Sequence, residues 1–318
     1  MRLATRTARG PLNLIFATKM LHPLPLRLCL TAEPRDRMIT SGSEGVLRAT
    51  SLLLSPPADL AACIFVAVVR DTRRVDLGDL DRFNFFPASP LVTITHVVDG
   101  EVRLGPPGSR LQTVREAPPL ARTSVMPPQE TPTVSWCPGP ALVVTVAIYS
   151  DAWTRLADRC DLAKALASAF LDGDDVQAGW ARFCAILSPV WDGAREMAVL
   201  PRWAGGPRLS DWSHALVARA AQAGPGRGIR SVERRLKRWS GQTRRSLNFY
   251  AAIDDLHRIA TQGNDKPPSA IALEAGYADQ SHMGRAVRRA TGFSPVQLNR
   301  FIESEESFWF YRLSGERF

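Results

Sequence analysis

Residues 271–295, IALEAGYADQSHMGRAVRRATGFSP, constrain this chain more than any other stretch, because they spell two short helices joined by a glycine-centred turn. In the second helix Met283, Ala286, Val287 and Ala290 recur at i, i+3, i+4 and i+7, the spacing of a stripe that faces a core. That leaves Gln280, Ser281, Gly284 and Arg285 together on another face near its N-terminus. Before the turn, Ile271, Ala272 and Ala275 form a short apolar stripe whose small residues let the two helices cross closely, and Gly276 suits the left-handed conformation that ends a helix. In a helix-turn-helix the first turns of the second helix enter the major groove, where Gln pairs bidentately with adenine and Arg with guanine. Gly284 would permit close approach rather than supply a contact. Arg288 and Arg289, one turn on, are placed for phosphates.

These residues resemble the second helix-turn-helix of AraC-family transcription regulators. The match runs through Ile271 and Ala272, then Ala275-Gly276-Tyr277, Asp279-Gln280-Ser281, Arg285, and Gly292-Phe293-Ser294-Pro295. Met283, Ala286 and Val287 stand where that family usually has aromatic residues. The competing reading is a packing hairpin with a solvated basic face.

The resemblance implies a second helix-turn-helix about fifty residues upstream, joined to the first by one long helix. Residues 229–240, IRSVERRLKRWS, fit it: Val232, Leu236 and Trp239 share one side, and Arg230, Glu233, Arg234 and Lys237 the other. By position Arg230, Glu233 and Arg234 resemble the family's base-contacting residues, and Gly241 the glycine that closes the helix. Glu233 would accept from cytosine N4. It is equally read as an intrahelical partner of Lys237, worth about 0.2 to 0.5 kcal/mol. Arg235 falls at the edge of the packing side, its stem packed and its head in water. Lys237 and Arg238, with Arg288 and Arg289, are the expected phosphate contacts. Residues 212–223 are the candidate first helix of this unit, before a GPGRG turn, and residues 244–260 the connecting helix, roughly 25 Å long at 1.5 Å per residue. TQGNDKPP then breaks it.

Charge points to the same place without any motif. Residues 208–302 hold sixteen Lys and Arg against seven Asp and Glu, a net of +9, which equals the net charge of the whole 318-residue chain. The basic excess is therefore confined to the helices that would meet phosphates.

Upstream the pattern changes. Residues 1–48 are basic and weakly patterned, and read as a poorly ordered extension, part of it lying ahead of a start at Met20 or Met38. A signal peptide is disfavoured, because LNLIFATKML is interrupted by Lys19. From residue 62 strands are expected: ACIFVAVV, FNFF, LVTITHVVDGEVRL with a hairpin turn at Asp99-Gly100, and ALVVTVAIY at 141–149. Helices follow at 152–157, 162–171 and 176–187. The expected architecture is α+β: residues 49–207 a β-rich region with a helical end, residues 208–302 an all-α domain with two helix-turn-helix units, and residues 303–318 a tail. The family resemblance implies that the β-rich region is a cupin-like effector domain followed by dimerising helices. Phe83, Phe85, Phe86, Thr93, Thr95 and His96 could line its interior or simply form its core.

Nothing points to catalysis, a metal or a cofactor. The five Cys show no CxxC spacing and fit reduced cytosolic thiols. There is no P-loop, no GxGxxG after a strand and no GxSxG. His96 lacks a nearby His or Glu partner for a metal. FLDGDDV resembles a calcium loop without the ligand series that ends in Glu. No apolar run approaches a membrane span. The reading is a cytoplasmic, sequence-specific transcription regulator, not an enzyme, whose expected partners are double-stranded promoter DNA, a small-molecule effector, RNA polymerase and a second copy of the chain. The alternatives are a ligand sensor acting through protein partners without specific DNA binding, and an enzyme within residues 49–149. The aromatic tail, with Phe308, Trp309, Phe310 and Tyr311, packs back on the domain or meets a partner.

Overall fold

The computed structural model describes residues 37–40, 49–106, 108–171, 175–192, 208–224, 228–262 and 266–315. Apart from residues 37–40, the N-terminal extension lies outside the described residues, as do the centre of the FLDGDDV turn, the centre of the GPGRG turn and residues 263–265. All that follows belongs to the unit Arg35–Phe318.

Nine strands lead. They are β1 (Arg37–Thr40), β2 (Thr50–Leu54), β3 (Ile64–Asp71), β4 (Phe83–Phe86), β5 (Val92–Asp99), β6 (Arg103–Leu104), β7 (Thr123–Met126), β8 (Thr133–Trp136) and β9 (Leu142–Ile148), with helix α1 (Leu111–Glu116) between β6 and β7. One antiparallel sheet has the order β1-β2-β3-β9-β5-β7 and a second the order β4-β8-β6. The hairpin expected at Asp99-Gly100 does not form. Gly100 makes the turn at φ 82°, but β5 pairs with β7 and β9, whereas β6 crosses to the other sheet and pairs with β8. A turn signal fixes a local reversal; it does not choose the strand's partner.

Alternation along β9 shows how the large sheet is used. Leu142, Val144, Val146 and Ile148 are buried and the residues between them half-buried. The buried set packs with Leu54, Ile64, Ala67, Val69 and Ile94 under α2 (Ser150–Leu156), α3 (Leu162–Ala169) and α4 (Val176–Asp192), which continues through Pro189 beyond the expected end. This core does not stop there. It also takes in Trp212, Leu216 and Ala220 of α5 (Leu209–Gln222), Val232 and Leu236 of α6 (Ile229–Ser240), and Leu247 of α7 (Arg244–Gln262). The indole N–H of Trp212 donates to the buried Asp151 carboxylate at 2.8 Å, and Arg155 lies 3.5 Å from the same carboxylate.

A second core joins α7 to α8 (Pro268–Glu274), α9 (Gln280–Thr291) and α10 (Pro295–Ser304) through Leu256, Ile271, Met283, Val287 and Leu298. The tail then turns back. After a 3-10 turn at Glu306–Phe308, α11 (Trp309–Ser314) lies against β1, β2 and β4. Phe308 stacks on Phe85 at 4.7 Å, and Trp309 packs with Val68 and Phe86 while its N–H donates to Asn84 Oδ1 at 2.7 Å. Phe85 and Phe86 thus meet the tail. The buried Arg70 guanidinium of β3 donates to Ser51 Oγ at 2.8 Å and to Glu306 at 2.5 Å, under the Trp309 ring, and Glu306 also holds Arg312.

Two expectations follow. Trp309→Ala removes a buried indole and leaves Asn84 without its donor, so unfolding stability falls by about 3 to 5 kcal/mol; chemical denaturation checks this, and a loss below about 1 kcal/mol would show the tail to be peripheral. Burial holds the Asp151 carboxyl above its ordinary range, against the pull of Arg155 and Trp212. The folded state therefore binds that proton more tightly than the unfolded chain, and the stability this confers is lost as pH rises from about 4 through the folded value. In Asp151→Asn that component disappears, so the stability difference between wild type and variant changes across this window; parallel pH curves would rule it out.

Candidate nucleic-acid interface

The helices α8 and α9 form a helix-turn-helix whose local chemistry is explicit. Pro268 occupies the first turn of α8, and the chain ends that helix at Gly276, with φ 81°, whose N–H donates to Leu273 while that of Tyr277 donates to Ala272. Asp279 caps α9 by accepting from the His282 backbone N–H. Ser294 and Gln297 make a reciprocal capping box at the start of α10. Met283, Val287 and Ala290 are buried and Ala286 half-buried, as the stripe required.

Gln280, Ser281, Arg285, Arg288 and Arg289 are exposed on the remaining surface of α9. Gly284 sits among them half-buried, and a Cβ there would meet nothing within 4 Å, so a base edge could approach the backbone. Arg289 is drawn aside: its guanidinium lies 4.2 Å above the Phe249 ring of α7. His282 is exposed with its ring edge-on to Tyr277.

The upstream unit is α5 followed by α6. Val232 and Leu236 are buried and Trp239 half-buried, while Arg230, Arg234, Lys237 and Arg238 are exposed. Arg235 does not send its head to water as expected. Its Nη1 donates to the Ala220 carbonyl at 2.9 Å, near the C-terminal end of α5, where free carbonyls and the helix dipole favour a cation. Glu233 is half-buried and faces the next helix: its Oε2 accepts from the Arg244 backbone N–H at 3.2 Å, and its Oε1 lies 3.9 Å from Arg244 Nε. Sequence reasoning passed over Arg244 and Arg245, both exposed at the start of α7; the Glu233 contact brings Arg244 beside the α6 face. The signal was present in the two arginines that directly follow the Thr243 cap, but the approach of α7 to α6 was not.

The connecting helix has nineteen residues rather than seventeen, about 28 Å at 1.5 Å per residue. It is also tied to the β-rich region. Tyr250 donates its hydroxyl proton to the Gln129 carbonyl at 3.0 Å, and burial pushes that phenol up to about 12, so it stays a donor at neutral pH. Ala88 N–H donates to the Ala290 carbonyl of α9 at 2.7 Å. Gln129 also borders an open groove of about 560 Å³ walled by Leu104, Pro106, Thr113, Met126 and Thr133. His96 lies buried in β5 with Nδ1 2.7 Å from Thr123 Oγ1, and burial lowers its pKa. Among the described residues no three His, Cys, Asp or Glu side chains gather into a metal-sized group, and no helix is long and apolar enough to cross a membrane.

No protein-family model matches this chain, and no curated protein matches it. Among solved structures, ToxT from Vibrio cholerae superposes with a TM-score of 0.33 at 10% identity, covering 68% of this chain and 93% of that one. Wild-type ToxT bound to an unsaturated fatty acid gives 0.33 at 10% identity, covering 74% and 96%. The Fe(II) form of HppE gives 0.24 at 14% identity, covering 39% and 62%. Similarity this low assigns neither a family nor an activity.

Proposed function

We propose that this protein is a sequence-specific, DNA-binding transcription regulator of AraC type, acting in the cytoplasm on double-stranded promoter DNA. The observation that carries the reading is that α6 and α9 each bury an apolar stripe and expose an Arg-rich face, with one nineteen-residue helix running between their two units. Adjacent major grooves on one face of a duplex lie about 34 Å apart, close to the reach of that connection. Arg230 and Arg234 then read one groove and Gln280, Ser281 and Arg285 the next, with Gly284 allowing close approach. Lys237, Arg238 and Arg288 hold phosphates. Arg289 shares its charge between Phe249 and the backbone.

Control by a small-molecule effector fits the groove beside Gln129, because that residue's carbonyl is the acceptor for Tyr250 on the connecting helix. A ligand there would act on the geometry of both reading helices. Dimerisation and contact with RNA polymerase belong to the same proposal through the family resemblance alone.

Selection of duplexes from a random library at near-physiological salt tests the reading: a two-part motif with halves about one helical turn apart is expected, and retention without any motif would overturn it. Arg285→Ala is expected to cost about 1 to 3 kcal/mol and to relax preference at one base position; an unchanged preference at every position would remove Arg285 from the readout. Lys237→Ala should weaken all sequences alike and lower the salt slope by about one, whereas a loss confined to some sequences would make it a base reader.

A further inference from the structure

We infer that Glu233 does not read a base: it is a positioning residue that fixes the angle between α6 and α7, and through it the spacing at which the two reading helices meet DNA. The inference rests on the DNA-binding reading above, and it departs from the role that position suggests.

Three observations carry it. First, the carboxylate is already engaged. Oε2 accepts the Arg244 backbone N–H at 3.2 Å and Oε1 faces Arg244 Nε at 3.9 Å. Swinging out to a cytosine amine would forfeit both contacts and leave the first N–H of α7 without its acceptor. Second, the contact crosses a bend. Between the two helices lie only Gly241, Gln242 and Thr243; Gly241 closes α6 at φ 68° with its N–H on Lys237, and Thr243 caps α7 by accepting from Ser246 N–H. In so short a linker one further tie from the middle of α6 to the first residue of α7 constrains the remaining freedom. An anionic group at that end of α7 also opposes the positive end of its dipole. Third, the neighbours at i−3, i+1 and i+4, which are Arg230, Arg234 and Lys237, are exposed, while Glu233 is half-buried. Its side chain, 36% exposed, is turned to Arg244 on the next helix.

The consequence is mechanical. α9 packs along α7, with Arg289 over Phe249 and with Met283 and Val287 in one cluster with Leu256 and Ile259, so it turns with α7 when the angle at the start of that helix changes. One base-pair step is about 3.4 Å, and such a turn shifts the exposed face of α9 along the duplex. A base reader sets which nucleotide is preferred; a residue at this hinge sets which separation of the halves is preferred.

The full-length wild type, Glu233→Gln and Glu233→Ala are compared on duplexes that carry the selected halves at the preferred separation and at one base pair more or less. Gln keeps a carbonyl oxygen for the Arg244 N–H, so it should retain both base preference and spacing. Ala should retain every base preference and lose about threefold to tenfold of the discrimination against altered separations, the worth of one hydrogen bond. A base reader gives the opposite pattern: Gln moves the preference at one position toward adenine, and that result would overturn the inference. Hydrogen exchange on the free protein gives a readout that needs no DNA. The Arg244 amide should exchange faster in Ala and not in Gln, and equal rates in all three proteins would overturn the inference even if the motif is found. If wild type selects no motif, the DNA-binding reading and the spacing role fall together, while the exchange rates still decide whether Glu233 holds α7.

Discussion

The buried Arg70 guanidinium is the constraint around which the described chain is arranged. A buried arginine near the end of an interior strand loses its hydration, at a cost of several kcal/mol unless it is paired and hydrogen-bonded. Among the described residues the counter-charge comes from 236 residues away, in Glu306 on the tail, and Ser51 and the face of Trp309 also meet the guanidinium. Burial lowers the arginine's pKa, and the Glu306 carboxylate on the tail offsets only part of that. Docking the tail fixes Phe308 on Phe85 and on Phe293, two residues past the end of α9. That stack, with the Ala88–Ala290 hydrogen bond and the Tyr250–Gln129 hydrogen bond, ties the second helix-turn-helix to the sheets.

The first helix-turn-helix is held differently. Trp212 enters the sheet-and-helix core beside Tyr149 at 5.3 Å and donates to Asp151. Its unit shares one apolar cluster with the strands, and the boundary expected near residue 208 is not a gap between cores. Regulation by a ligand in such a chain would not need a swinging domain. It would need a change in a few polar contacts, such as Tyr250 to Gln129 and Ala88 to Ala290, that set how the helices rest on the β-rich region.

What was legible in the sequence was what a single helix encodes. The stripe of Met283, Val287 and Ala290, the Gly276 turn and the exposed arginines all follow from a 3.6-residue period and the conformational freedom of glycine. The strands near residues 64, 83, 92 and 142 were equally plain. Contacts between elements were not. Asp99-Gly100 announced a turn and said nothing of the sheet to which β6 belongs. Arg235 looked like a snorkelling residue until α5 presented the Ala220 carbonyl to it. Glu233 offered two local partners, a base and Lys237, and the structure turns it to a third on the following helix. The aromatic tail showed its apolar character but not its target, because Asn84 and Arg70 acquire their need for a partner only once the strands are paired.

These long-range ties have a common physical form that bears on DNA binding. Each joins a reading helix, or the helix between them, to something that is not DNA: Arg289 to Phe249, Ala290 to Ala88, Glu233 to Arg244. A reading helix held this way has less orientational freedom to lose on binding, which favours affinity, and fewer alternative registers, which favours specificity. The same rigidity makes the two halves interdependent. A protein with loosely linked units tolerates a misplaced half-site by adjusting its linker. Here α7 is tied at its start to Glu233 and near its middle through Tyr250, so if the helices read DNA as proposed, a misplaced half-site would have to bend the DNA or break one of these contacts. On the proposed reading, a perturbation of the Gln129 wall would change which promoters are bound rather than simply how tightly.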